Sequence, residues 1–339
     1  MSLVYLVRHA MPDIPLGERW CLGRTDLPLG DIGRMQAALL PYVPELLGKP
    51  VFCSYLSRAV ETARPLCPEP MIRDGLEEQD MGIWDGLSFT EIMMLYPELY
   101  AARAQNPGLM PDSAEPMSSV RARMISAVKG CVEEAHGDLV IVSHKSAIDS
   151  LTGQRPKLDH TSISVLDWHG DSYEILEVGH MPNPPLTEEV CLKLLEAAGT
   201  PSPVVDHCRA VAEEAMSLAD RVAGKVFLDR DLLLAAALLH DVVRGLPDHA
   251  ECGARGIKAL GYPDVAEVIA QHHDLPSAEL NEAAILYLAD KYRQGTERVT
   301  LEQRFGASES KCLTDEARAA HSRRFETAKQ IENTIFGDD

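Results

Sequence analysis

Apolar and polar positions follow two rhythms along the first half of the chain. The runs "LVYLV" (3–7), "VFCS" (51–54), "DLVIVSH" (138–144) and "SISVLDW" (162–168) are short and rich in β-branched residues, which predicts strands. Between them, segments beginning near Asp31, Ser57, Ser88 and Ser118 carry apolar residues at helical spacing. "SFTE" at 88–91 reads as a capping box, and Gly137 is placed to end the helix before "DLVIVSH". Alternating β and α predicts an α/β layered domain with a largely parallel sheet.

The stretch "GHMPNPPLTEE" then breaks both rhythms with three prolines and reads as a linker, with Thr187 capping the helix that follows. Beyond it the strand rhythm disappears. "VVDHCRAVAEEAMSLADRV", "RDLLLAAALLHDVV", "HAECGARGIKALG", "PDVAEVIAQHH" and "NEAAILYLADKY" have helical spacing with Gly or Pro between them, and the tail from Thr314 reads as one more helix. Two domains are predicted, 1–180 and an all-α domain over 187–339. At 339 residues and 45% hydrophobic composition, the chain can fill two cores.

Charge and cysteines narrow the setting. A formal net charge of -20 is spread over both halves, so the surface repels phosphate backbones and anionic lipid. Neither a nucleic acid polymer nor a membrane is expected as partner, and a small anionic substrate needs a local cluster of cationic groups. None of the eight cysteines forms a CxxC pair, which predicts reduced thiols in a cytoplasmic protein. No run reaches the ~18 apolar residues of a membrane span.

Two predicted strands end in histidine, His9 and His144. Ligands of parallel α/β sheets collect beyond the carboxyl ends of the strands, so both imidazoles can reach one pocket. A lone strand-end histidine is more often satisfied by a backbone carbonyl, but two of them, one preceded by Arg8, point to a site. "RHA" at Arg8 is followed by "GRTDLPLGDIGRMQA", "SYLSRAVETA", "LEEQDMGIWDG" and "VSHKSA". In that order these segments resemble the histidine phosphatase superfamily, with its three-layer phosphoglycerate mutase-like fold. The resemblance implies that His9 is a nucleophile carrying a phosphoryl group. Arg8, Arg58 and His144 would clamp the phosphoryl oxygens, with Arg24 a further substrate contact. Glu78 would be the acid and base for the leaving group and water, with Glu77 and Asp80 as solvated neighbours, and Trp84 would pack the domain. Ala10 and Lys145 depart from the family's usual residues after each histidine. The "GIWDG" wording looks more like phosphatases, alpha-ribazole phosphatases among them, than glycolytic mutases.

The second domain carries His207, the adjacent pair His240 and Asp241, and Asp290, on or at the ends of separate helices. Imidazoles and carboxylates converging from several helices can hold a divalent ion. "LLLAAALLHD" offers little polar face, and an unpaired buried carboxylate is costly. The order H, HD, D resembles the HD superfamily of metal-dependent phosphohydrolases over roughly 204–292. His249 and His272 resemble the added ligands of members that hold two metals. His273, about 100° further round the helix, is expected against substrate. Arg244 stands where many HD enzymes have a lysine, and would fork onto phosphate. Iron, manganese or a similar transition metal, one or two ions, suits this histidine-rich set, while the first domain needs none.

The predicted function is a bifunctional phosphohydrolase on small phosphorylated substrates, alpha-ribazole phosphatase-like in front and acting on a nucleotide or related ester behind. Two alternatives stay open: a phosphatase with a metal-binding HD sensor module, and a phosphoglycerate-type mutase.

Overall fold

The computed structural model describes residues 2–106, 109–153, 158–246, 248–310 and 312–337. The chain divides into two units, Met1–Pro184 and Pro185–Asp339. The last two residues of the predicted C-terminal tail lie outside the described residues.

The first unit contains strands β1 (Ser2–Arg8), β2 (Trp20–Cys21), β3 (Val51–Cys53), β4 (Met71–Ile72), β5 (Leu87–Ser88), β6 (Leu139–Ser143), β7 (Ile163–His169) and β8 (Ser172–His180). Its helices are α1 (Asp31–Leu39), α2 (Ser57–Ala63), α3 (Phe89–Leu95), α4 (Pro97–Gln105), α5 (Met117–Ala135) and α6 (Lys145–Thr152). Six strands form one sheet in the order β4-β3-β6-β1-β7-β8. The first four run parallel and the β7-β8 hairpin closes one edge antiparallel.

Strand period explains the layering. Val4, Leu6, Phe52, Leu139 and Ile141 face one side and pack against α5 and α6. Val7, Val51, Cys53, Val140 and Val142 face the other and pack against α2 and the short turns at 40–46. Burial on both faces is why "LVIVS" lacks alternation. β8 gave no such signal, because most of it lies exposed at the sheet edge. Ser88 and Glu91 form the expected capping box. Gly137, however, does not end α5: the left-handed position is taken one residue earlier by His136, at φ 53°.

The second unit is helical: α7 (Glu188–Ala197), α8 (Ser202–Arg221), α9 (Arg230–Leu239), α10 (His249–Ala259), α11 (Pro263–Ala270), α12 (Glu282–Lys291), α13 (Leu301–Glu309) and α14 (Asp315–Phe336). The hydroxyl of Thr187 accepts from Val190 N and caps α7. Residues 283–291 of α12 are all buried, which makes it the central helix. One small exception to the all-α reading is a hairpin of β9 (Arg293–Gln294) and β10 (Glu297–Arg298). No described helix is long and apolar enough to cross a membrane. No described cysteine is bridged, and five of the eight are buried.

Candidate functional sites

Register brings the first two histidines together. β1 and β6 are parallel neighbours with Arg8 opposite Ser143, so the next residue of each, His9 and His144, stand side by side at the carboxyl ends. Their ring centroids lie 4.9 Å apart. Nδ1 of His9 donates to Ala10 O at 2.7 Å, and the backbone of Ala10 donates to Thr62 Oγ1. Nε2 of His144 meets Ser54 Oγ at 2.6 Å. Burial, His144, Arg58 and Arg8 hold the His9 pKa well below the ordinary histidine value, and burial with Arg58 and Arg8 does the same at His144.

The other motifs build the cradle of Arg58. Asp26 accepts from Ser57 N and Oγ at 2.8 and 2.7 Å and so fixes the start of α2. Arg58, fully buried on α2, donates to Gly23 O and Thr25 O at 2.8 and 2.9 Å. The loop supplying those carbonyls is held by Asp85, whose carboxylate accepts from Gly23 N, Arg24 N and Thr25 N. Gly23 itself must be glycine, because a Cβ would sit 2.6 Å from Gln79 O. "GRTD" and "WDG" thus act on Arg58 through the backbone, and Asp85, absent from the sequence-predicted set, is the residue that couples them.

Glu78 is buried, and its carboxylate accepts from Ser146 N and Ala147 N at 3.2 Å, at the start of the helix that follows His144. Arg123 donates to the carbonyls of Gly75, Glu77 and Glu78 and pins the segment. Glu77 is not the solvated neighbour the sequence suggested. It is 7% exposed and pairs with Arg24 at 3.0 Å. Arg24 also donates to Tyr55 Oη, so the structure places it on Glu77 and Tyr55. Trp84 is fully buried. His160, also missing from the predicted set, has its ring centroid 5.5 Å from that of His9. Three nitrogens of this cluster, Arg8 Nε, Arg58 Nε and His144 Nδ1, are buried without a hydrogen-bond partner among the described residues.

In the second unit the predicted set converges. His207 comes from α8, His240 and Asp241 follow α9, His249 opens α10, His272 follows α11 and Asp290 sits on α12. Donor atoms of His207, His240 and Asp290 lie within 4.8 Å of one another, as do those of His249, His272 and His273. Asp241 spans both groups. Its Oδ2 is 3.7 and 3.4 Å from Nε2 of His207 and His240, and its Oδ1 is 3.2 and 3.8 Å from Nε2 of His249 and His272. His273, expected against substrate, groups with His249, its Nε2 2.8 Å from that of His249. Arg244 lies on Asp241 Oδ2.

These residues fit a divalent cation. Nδ1 of His207, His240 and His272 each donates to a backbone carbonyl, of Gly295, Ala237 and Ile269, which leaves the Nε2 lone pairs for a ligand. His240 Nε2, His272 Nε2 and Asp241 Oδ1 are buried and make no hydrogen bond among the described residues. Burial pushes the imidazoles of His272 and His273 down to about 2 and about 4. Burial opposes charge on His240 too, yet Cys208 and Asp241 push its pKa well above the ordinary value. Two buried carboxylates, Asp241 and Asp290, face these imidazoles, and a divalent ion would neutralise their charge.

Comparison with known proteins gives the same division. Residues 4–180 match the family model of the histidine phosphatase superfamily (branch 1), and residues 204–294 that of the HD domain. "Bifunctional protein Rv2228c" of Mycobacterium tuberculosis is 29% identical over 183 residues, covering 49% of this chain and 50% of that protein. "Phosphoglycerate mutase-like protein 4" of Arabidopsis thaliana is 30% identical over 193 residues, 51% of this chain and 82% of that protein. The chain spans about half the length of the mycobacterial relatives it matches. Among solved structures, Bacillus stearothermophilus YhfR matches 54% of this chain and 98% of its own at 24% identity, with a TM-score of 0.49.

Proposed function

The chain belongs to the histidine phosphatase superfamily, and on that premise we propose that it is a two-site phosphohydrolase. The first site hydrolyses a small phosphomonoester, of the alpha-ribazole phosphate kind, through a phosphohistidine. The second, in the HD domain, is a metal-dependent site for a nucleotide or related ester.

One observation carries the first half: three buried nitrogens without partners belong to Arg8, Arg58 and His144, the groups whose charge bears on the His9 imidazole, and Nδ1 of that imidazole is tied to a carbonyl. Unpartnered buried donors are costly, and a tetrahedral anion satisfies all three. The Nε2 lone pair of His9 attacks phosphorus, the P–N bond forms and the P–O ester bond breaks. Glu78 gives its proton to the leaving oxygen. Water then attacks the phosphohistidine while Glu78 takes the proton back, releasing phosphate and neutral His9. Arg8, Arg58 and His144 hold the equatorial oxygens in both steps and offset their charge.

In the second unit His207, His240, Asp241 and Asp290 would hold one cation, and Asp241, His249, His272 and His273 a second. A divalent transition metal supplies Lewis acidity toward a phosphoryl oxygen when bound. Around it, Asp241 orients both groups of imidazoles, and Arg244 moves from its carboxylate to a substrate phosphate, for which its planar fork is suited. The test is hydrolysis of an aryl phosphate and of nucleotides, with and without chelator, in His9→Ala and Asp241→Ala. The reading expects each variant to lose one activity and keep the other, with only the second sensitive to chelator. Loss of both activities in either variant contradicts two separate sites.

A further inference from the structure

Arg8 is held by one short stretch of chain. Its Nη1 donates to Leu158 O, and its Nη2 lies 3.0 Å from Nε2 of His160. A guanidinium only donates, so His160 Nε2 is the acceptor and carries no proton there. Each terminal nitrogen of Arg8 thus spends one of its two N–H bonds on this stretch, while Nε stays buried and unpartnered among the described residues. An arginine side chain turns about several bonds, and its planar fork is useful only when those turns are stopped.

A second observation concerns the backbone next to His160. Thr161 adopts φ 62°, a left-handed conformation that a β-branched residue rarely enters. Its N–H donates to Arg8 O, the Arg8 N–H donates to Ser162 O, and its hydroxyl donates to His160 O. The turn is held in a strained form by the same arginine whose side chain His160 meets. Strain of this sort persists where the surroundings over-determine it, and it gathers at functional sites.

We propose that His160 is a positioning residue of the phosphoryl clamp: its Nε2 lone pair fixes the guanidinium of Arg8 so that its unpartnered Nε–H is held ready to meet a phosphoryl oxygen on its way to or from His9. The inference rests on the assignment of Arg8 and His9 to the first site. Burial, Arg8 and Arg58 keep the imidazole of His160 well below its ordinary pKa, as an acceptor must be. Its chemistry differs from that of His9 and His144, since it touches the clamp and not the phosphoryl group.

The experiment compares His160→Leu, His160→Asn and His160→Gln in the full chain with an aryl phosphate, and measures inhibition by inorganic phosphate. Only the Gln amide oxygen reaches the place of Nε2. Misplacing a clamp group by about 1 Å costs up to about a hundredfold, so Leu and Asn lower kcat/KM at least about tenfold and weaken phosphate inhibition alike, while Gln restores both to within about threefold. Wild-type kinetics in all three overturn the inference. So does an equal loss in all three at an unchanged melting temperature. A His9→Ala control separates the premises: activity surviving there overturns the first-site reading itself.

Discussion

Nδ1 of His9 donates to the carbonyl oxygen of Ala10, its neighbour in the chain, at 2.7 Å. A carbonyl can only accept, so the bond fixes the tautomer and leaves the lone pair on Nε2. Burial and the cations around it keep that ring neutral well below the ordinary histidine pKa of 6.5. An unshielded histidine nucleophile would lose activity through that value. Here kcat/KM for an aryl phosphate whose second ionisation lies lower stays level from about pH 7.5 to about pH 6. A pH–rate profile falling with an apparent pKa near 6.5 would refute this.

The same depression makes the first unit acid-sensitive. His9, His144 and His160 all have folded pKa values below the unfolded 6.5. Between the two values the unfolded chain binds more protons. Stability is therefore fully present above about pH 6.5 and is lost as pH falls, by up to about 1.4 kcal/mol per pH unit for each group. Trp20, Trp84 and Trp168 all lie in the first unit, so denaturant melts followed by tryptophan fluorescence report it alone. The midpoint drops between about pH 7.5 and about pH 5.5, and His144→Gln flattens the drop. Coincident midpoints would contradict the buried neutral imidazoles.

Glu78 is anchored by Ser146 N and Ala147 N, bonds that an amide oxygen can keep in part. Glu78→Gln should therefore fold and lose only the proton transfer. Hydrolysis of an alkyl phosphate falls by about 10²- to 10⁴-fold, whereas an aryl phosphate with an acidic leaving group falls far less. Equal losses on the two substrates would remove Glu78 from that role.

Because Asp241 reaches both histidine groups, its loss and that of a terminal ligand have different consequences. Metal analysis of purified Asp241→Ala finds the bound ions gone from both positions, while His207→Ala and His273→Ala each lose only part of the content. Metal at a hundredfold above its Kd stabilises the wild type by about 2.7 kcal/mol, and Asp241→Ala loses that gain. Full metal content in Asp241→Ala would show that the carboxylate does not bridge.

Strand-end histidines were legible because a parallel sheet puts its carboxyl ends on one side, and the order H, HD, D because helical spacing set each residue on or at the end of a packed helix. The caps at Ser88 and Thr187 were legible for the same local reason. What escaped depends on long-range partners. His160 carries no periodic signal, since only the turn around Thr161 brings it to Arg8. Glu77 reads as solvated until Arg24, 53 positions away, is seen beside it. Asp85 looks like part of a turn until it collects three amides of another loop. β8 has one sheet partner and mostly exposed residues, so its apolar pattern is too weak to announce a strand.

If His9 is the nucleophile, it carries the phosphoryl group in a reaction that needs no metal. Rapid quenching of the full chain with an aryl phosphate in the presence of chelator, followed by peptide mass spectrometry under neutral conditions, tests it most directly. The peptide containing His9 then carries an acid-labile phosphate, lost in His9→Ala and retained in Asp241→Ala. Hydrolysis without any phosphate on that peptide, or phosphorylation that disappears with chelator, would contradict it.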